Sequence, residues 1–163
     1  MQSEYKFENS GNDASHRYLL PKIETALKSL SNSKENLSVL DFGCGNGSMT
    51  RDLAKKFPHI HFKAVDPSPV AQSFHKNHVL DNLTFLDWKE FEEHKSLKID
   101  VVLSVEVIEH VFLPRLYLEK ITHHLTPNGF VILTTPYHGY FKNLSIAISV
   151  SYTHLTLPTI LLV

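Results

Sequence analysis

A chain of 163 residues carries material for one domain. Its 16 Lys+Arg nearly balance 17 Asp+Glu for a formal net charge of -1, and no basic arm or stripe is visible, which argues against nucleic-acid binding through phosphate contacts. The single cysteine, Cys44, excludes an intramolecular disulfide and suits a reducing cytoplasm, while the polar start MQSEYKFENSGND is not a signal peptide.

After a polar opening to Asp13, residues Tyr18, Leu19, Ile23, Ala26, Leu27 and Leu30 recur at helical spacing, so a first helix is expected over Ala14 to Leu30 with Pro21 in its first turns. The run SNSKEN breaks it. Leu37 to Phe42 reads as a buried strand ending in Gly43. A second helix follows from Ser48 to Phe57, stopped by Pro58. Ile60 to Val65 is a second strand, ended by Asp66-Pro67-Ser68-Pro69, with a helix near Val70 to Lys76. Leu83 to Leu86 makes a brief third strand and Ile99 to Val105 a fourth, with a charged loop around Glu92 to Lys98 before it. Leu113 to Leu125 is helical, Thr126-Pro127-Asn128-Gly129 is a turn, and Phe130 to Thr135 is a fifth strand. Strands alternating with helices predict an α/β fold with a parallel sheet covered on both faces.

The informative segment is Val39-Leu40-Asp41-Phe42-Gly43-Cys44-Gly45-Asn46-Gly47. A strand, a glycine-rich turn and a helix let backbone approach a ligand without Cβ clashes. Asp66, at the end of the next strand, has the spacing at which a carboxylate accepts hydrogen bonds from ribose hydroxyls. Either a nicotinamide dinucleotide or an adenosyl-sulfonium cofactor fits that much. The dinucleotide fingerprint G-x-G-x-x-G/A wants a small third residue, whereas this chain reads G-x-G-x-G with Ser48 at that position. Asp41, just before the loop, would disfavour a pyrophosphate and suit a sulfonium and an amino group. These two features favour S-adenosylmethionine.

V-L-D-F-G-C-G-N-G resembles the first motif of class I S-adenosylmethionine-dependent methyltransferases, and Asp66 matches their ribose-binding acid. Leu125-Thr126-Pro127-Asn128-Gly129-Phe130, running into Val131-Ile132-Leu133, resembles their L-x-P-x-G turn and fifth strand. The resemblance implies a Rossmann-like, doubly wound, mostly parallel sheet in the order 3-2-1-4-5-7-6. Five strands are expected here, with the last two missing. It also assigns cofactor contacts to Asp41, Gly43, Cys44, Gly45, Asn46, Gly47, Asp66 and Pro67, and to Ser104, Val105 and Glu106 after the fourth strand. Asp87 and Trp88 fall where the family contacts adenine.

Ser104-Val105-Glu106-Val107-Ile108-Glu109-His110-Val111 is the second sharp feature. Were it α-helical, Glu106, Glu109 and His110 would share one face at i, i+3 and i+4. E-V-I-E-H resembles the E-x-x-E-H segment of the ubiquinone-biosynthesis O-methyltransferases, in which these three residues are linked to a divalent cation such as Mg2+ and the acceptor is a catechol-like phenol. On that reading His110 and Glu109 are the catalytic candidates, His110 taking the phenol's proton, and Glu106, Glu109 and His110 are the metal candidates. The alternative is that Glu106 touches the cofactor while Glu109 and His110 support the loop. Thr134-Thr135-Pro136-Tyr137-His138-Gly139-Tyr140 is a further candidate for lining the acceptor pocket, as are His16 and Tyr18 in the first helix.

The tail does not fit the pattern. Val150 to Thr159 matches the translation of a transposase sequencing adapter, GTC TCT TAT ACA CAT CTG ACG CTG CCG ACG, and the ending to Val163 continues it. Residues 1–148 are therefore expected to be the N-terminal part of a methyltransferase domain, and 149–163 a non-native tail. A membrane anchor over Leu144 to Val163 is the rival, weakened by His154, Pro158 and several hydroxyl residues. An incomplete sheet would leave the fifth strand as an open edge, so poor expression and weak cofactor binding are expected.

The expected function is methyl transfer from S-adenosylmethionine to a small-molecule acceptor, at an oxygen of a phenol or quinone precursor, by a cytoplasmic enzyme. The alternatives are an N- or C-methyltransferase and a non-catalytic adenosyl-binding module; a nicotinamide dehydrogenase ranks behind both. No nucleic-acid partner is expected, and peripheral membrane contact only for a lipid-like acceptor.

Overall fold

A computed structural model describes residues 16–75, 80–93, 96–136 and 161–162. The elements are α1 (His16–Ser31), β1 (Ser38–Phe42), α2 (Ser48–Lys56), β2 (His61–Val65), α3 (Pro69–Ser73) and β3 (Leu83–Phe85). They continue with α4 (Trp88–Glu93), β4 (Ile99–Val105), one 3₁₀ turn (Ile108–His110), α5 (Pro114–His123), β5 (Leu125–Thr134) and β6 (Leu161–Leu162). The sheet order is β3-β2-β1-β4-β5-β6. The first five strands are parallel and β6 runs antiparallel to β5. Chain order reverses between β1 and β4, which opens a ligand crevice at the carboxyl ends of those strands.

Period-two alternation divides the core between the two sheet faces. Val39 of β1 with Val101 and Leu103 of β4 face Ile23 and Leu27 of α1 and Leu53 of α2. Leu40 and Phe42 of β1 with Val102 of β4 face Phe91 of α4 and Tyr117 and Ile121 of α5. Both faces are covered, so β1 and β4 are buried along nearly their whole length and lack the strict apolar–polar alternation of a half-exposed strand, although Asp41, Asp100 and Ser104 interrupt their apolar residues. Each fully buried Leu or Phe contributes about 1.5–3 kcal/mol by leaving water.

Three details differ from the sequence expectation. The charged segment before β4 contains the helix α4, six residues long. It is too short to show a period, and Asp87 starts it by accepting from the backbone N–H groups of Lys89 (2.8 Å) and Glu90 (3.4 Å). The expected turn at 126–129 lies inside β5: Ile99 pairs with Leu125 and Val101 with Phe130, so a two-residue step on β4 faces a five-residue step on β5. Finally, β5 is not a bare edge, because Ile132 and Leu133 pair with Leu162 and Leu161.

Side chains fix the loops that place the site. Asn82 Nδ2 donates to the carbonyls of Ala54 (2.9 Å), Phe57 (3.1 Å) and Ile60 (3.0 Å), closing the end of α2 onto β2 and β3. Asp100, buried at the start of β4, accepts from Ser38 N–H (3.0 Å), Ser38 Oγ (2.8 Å) and Lys34 Nζ (2.5 Å). Among the described residues, no helix is long and apolar enough to cross a membrane.

Candidate functional site

The glycine loop leaves β1 at the switch point and enters α2. Gly43 has φ +89° and Gly47 φ +76°, the left-handed region that favours glycine. Space demands glycine as well. A Cβ on Gly43 would meet Val107 Cγ2 at 2.6 Å, and one on Gly47 would meet Phe85 Cε1 at 2.5 Å.

The loop's hydrogen bonds restrict what it can hold. Gly43 N–H and Cys44 N–H donate to Val65 O at 2.9 and 3.1 Å, and Gly47 N–H donates to Cys44 O at 2.9 Å. Gly45 N–H donates to Asp66 Oδ2 at 2.8 Å, and Ser48 N–H to Asn46 Oδ1 at 3.0 Å. With these donors engaged inside the protein, the loop is a poor cradle for a pyrophosphate, which needs free N–H groups.

Carboxylates surround the loop. Asp41 is buried and accepts from Thr50 Oγ1 at 2.5 Å. Burial pushes its carboxyl up to about 6, with the Thr50 hydrogen bond opposing and the Asp66 charge adding to the rise. Asp66 is buried at the end of β2, its Oδ1 accepting from Ser68 N–H at 2.8 Å. Glu106 closes β4 with φ +56°; its backbone N–H donates to Thr134 Oγ1 of β5 at 3.2 Å, and its Oε1 accepts from that hydroxyl at 3.2 Å. Burial raises the Glu106 carboxyl, and the Glu109 charge raises it further. Glu109 holds a buried Oε2 with no hydrogen-bond partner. Burial also drives the Cys44 thiol well above its usual range, so it is no nucleophile.

The sequence-predicted residues divide accordingly. Asp41, Gly43, Gly45, Gly47, Asp66 and Glu106 gather at the carboxyl ends of β1, β2 and β4. Asn46 is buried and supports the start of α2, and Pro67 is exposed beyond Asp66. Ser104 is fully buried with its hydroxyl 2.6 Å from Tyr117 Oη, and half-buried Val105 packs on the α1–α2 side of the core. Asp87 is exposed and caps α4. Trp88 packs on Phe42 at 5.9 Å between ring centres, with Lys120 Nζ 4.6 Å from its own ring centre, so it has a core role.

The segment after β4 does not form the α-helix that would bring its acids and histidine onto one face. Glu106 turns left-handed and only Ile108–His110 form a 3₁₀ turn, so Glu106, Glu109 and His110 do not share a helical face. Among the described residues, no three His, Cys, Asp or Glu side chains are grouped to hold a metal ion, so the expected Mg2+ site finds no support in the structure. His110 is exposed at the rim. His16 is buried against α2, its Nε2 3.1 Å from Asp52 Oδ2, and Tyr18 is exposed beside Lys22, so neither lines the crevice. Residues 137–140 of the aromatic segment lie outside the described residues.

Two site features escaped the sequence reading. Thr50 is the partner of Asp41, and His75, from the stretch after α3, donates from Nε2 to Gly45 O at 2.8 Å. Hollows of about 440 Å³ beside α4 and α5 and about 500 Å³ beside α1 and α2 lie on helical faces, and neither is lined by the glycine loop.

A doubly wound sheet with a glycine loop at its switch point, and an acid ending the neighbouring strand, defines a Rossmann-like cofactor-binding domain. The family model described as "Methyltransferase domain" matches residues 14–157, and the chain belongs to that family. It is 33% identical over 103 residues to the mitochondrial ubiquinone biosynthesis O-methyltransferase of Schizosaccharomyces pombe, covering 60% of this chain and 37% of the relative. It is 31% identical over 128 residues to the ubiquinone biosynthesis O-methyltransferase of Rickettsia conorii, covering 76% of this chain and 43% of the relative. The chain thus spans less than half the length of these relatives. Among solved structures, it matches the DszA carbon methyltransferase with TM-score 0.67 at 18% identity, covering 86% of this chain and 41% of that one. The plantazolicin methyltransferase BpumL in complex with SAH matches with TM-score 0.64 at 23% identity, covering 85% and 54%. These likenesses establish the shared fold.

Proposed function

We propose that the protein binds S-adenosylmethionine in the crevice at the glycine loop and transfers its methyl group to an oxygen of a small phenol or quinone precursor. The observation that carries the cofactor is the pairing of a donor-poor loop with the carboxylates of Asp41, Asp66 and Glu106. Such a site suits a cation and repels the pyrophosphate of a dinucleotide. The names of the curated relatives supply the oxygen acceptor.

S-adenosylmethionine supplies a methyl carbon already activated by its sulfonium, so the protein's work is positioning and proton removal. Asp66, held by two backbone N–H groups, keeps lone pairs for ribose hydroxyls. Asp41 and Glu106 bring negative charge to the cofactor's amino and sulfonium groups. His110, exposed at the rim, accepts the acceptor's proton, and the unpartnered Oε2 of Glu109 is available to accept a hydrogen bond from a second hydroxyl of that acceptor. The described residues do not fit a divalent cation, and no step passes through one.

Titration calorimetry with S-adenosylhomocysteine tests the cofactor: weak binding that NADH does not displace is expected. Binding of NADH with none of S-adenosylhomocysteine would end the reading. Transfer of labelled methyl to a catechol tests the acceptor. Labelled nitrogen or carbon products would assign a different acceptor atom, and binding with no transfer to any acceptor would favour an adenosyl-binding module.

A further inference from the structure

We propose that His75 is a positioning residue: acting through Gly45, it sets the orientation of Asp66 and so the site's discrimination for the ribose hydroxyls of an adenosyl ligand. The inference rests on the adenosyl reading above, in which His75 has no part.

Gly45 is gripped at both of its polar backbone atoms by the chain that follows β2. Its N–H donates to Asp66 Oδ2 at 2.8 Å, and its carbonyl lies 2.8 Å from His75 Nε2. A carbonyl only accepts, so His75 Nε2 carries the proton. Cys44 Sγ, 3.7 Å from the same nitrogen, cannot then donate to it. The imidazole is buried and lies flat on Phe85, with ring centres 4.2 Å apart and planes at 16°. Phe85 in turn abuts Gly47, leaving no room for a Cβ there. His75 is therefore fixed in place by a ring that is itself wedged against the loop.

Gly45 has φ +55° and no side chain, so its own packing does little to hold the peptide. Asp66 needs that peptide. Its Oδ2 is set by Gly45 N–H, its Oδ1 by Ser68 N–H at 2.8 Å, and its carbonyl by Gln72 Nε2 at 2.9 Å. The hydrogen bonds close a ring from Asp66 to Gly45 to His75 and back along α3. Removing the His75 donor leaves the half-buried Gly45 carbonyl with only the weak, long contact from Cys44 Sγ at 3.7 Å, its peptide turns, and Asp66 loses the bond that aims Oδ2.

A purely structural histidine would weaken every ligand alike, whereas a positioning one changes a ratio. The experiment measures the affinities of S-adenosylhomocysteine and its 2′-deoxy counterpart for the full chain, for His75→Phe and for His75→Gln. His75→Phe keeps a ring on Phe85 and loses the donor, while His75→Gln restores a donor. The unaltered chain should prefer the ribose form about tenfold or more, the range for a hydrogen bond to a charged group. The preference should fall to about threefold or less in His75→Phe and recover in His75→Gln. Equal weakening of both ligands, with the ratio unchanged, overturns the proposal. Should His75→Phe not fold, Phe85→Leu removes the platform and retains the donor; a reduced ratio supports the proposal and an unchanged one overturns it. If the unaltered chain binds neither ligand, the adenosyl reading falls and takes this inference with it. If it binds both equally, the cofactor reading stands and the assignment of Asp66 and His75 to the ribose fails.

Discussion

Replacing Gly47 with alanine tests whether the glycine loop is held by shape as well as by backbone conformation. A residue with a Cβ at φ +76° costs about 1–2 kcal/mol. The added methyl would also lie 2.5 Å from Phe85 Cε1 and 2.6 Å from Cζ. Phe85 has little freedom to retreat, since His75 stacks on its ring at 4.2 Å and the Arg51 guanidinium carbon sits 6.0 Å from its centre. Overpacking of this kind costs about 1–3 kcal/mol. Together the terms give about 2–5 kcal/mol, or a fall of about 5–15 °C in melting temperature for a domain of this size. Urea unfolding followed by circular dichroism measures the loss. A companion Phe85→Leu chain separates the causes: in the double variant the clash is relieved and the backbone strain remains, so a coupling of about 1 kcal/mol or more is expected. A loss below about 1 kcal/mol for Gly47→Ala, or additive effects of the two changes, would refute the argument from shape.

Asp41 gives a pH prediction. Its carboxyl is pushed up to about 6 from an ordinary 3.8, so the folded chain holds a proton that the unfolded chain releases within that window. Asp41 therefore lowers stability as pH rises from 3.8 to about 6, and the penalty persists above. Asp41→Asn should stabilise the chain at pH 7 by up to about 3 kcal/mol, give no gain below about pH 4, and weaken S-adenosylhomocysteine binding. Urea midpoints at the two pH values check it, and a variant less stable at pH 7 would show that the buried carboxylate is better compensated than its surroundings indicate. Tyr117→Phe leaves the buried Ser104 hydroxyl without its 2.6 Å partner and should cost about 1–3 kcal/mol; adding Ser104→Ala should recover most of that, and no recovery in the melting temperature would place the loss elsewhere.

How far the sequence disclosed the site depends on how far apart the contacting residues lie. The loop Gly43 to Gly47 and Asp66 are set by local geometry: a strand, a turn that needs positive φ, a helix, and the next strand's end. They could be read directly. The parallel sheet was equally legible, because β1 and β4 are covered on both faces and are rich in apolar residues on both, with Val39, Leu40 and Phe42 in one and Ile99, Val101, Val102 and Leu103 in the other. Glu106 to His110 was less legible, because a shared face required an α-helix and one left-handed residue, Glu106, breaks the helix before it begins. His75 gave no signal, since its partner Gly45 is 30 residues away and a lone histidine in a polar stretch has no period. Asp87 and Trp88 matched a motif position, and the structure adds roles that the motif did not announce, a cap on α4 for Asp87 and packing on Phe42 for Trp88. A motif fixes a position in the chain, and only packing decides which way its side chain turns.

The last strand brings the same question to residues 149–163. On one side, β5 pairs with β4 from Phe130 to Thr134; on the other, among the described residues, Ile132 and Leu133 pair with Leu162 and Leu161. Two cross-strand pairs contribute about 0.2–1 kcal/mol each, too little to organise a sheet edge. The family match runs past Ser149 to residue 157, which favours a tail native to the family, whereas the match of Val150 to Thr159 to a translated adapter favours a foreign one. We propose the latter, and deletion of 149–163 distinguishes them. A foreign tail should leave the unfolding free energy within about 1 kcal/mol, while the bared β5 edge raises light scattering on storage. Loss of cooperative unfolding after the deletion would mean that the segment belongs to the fold.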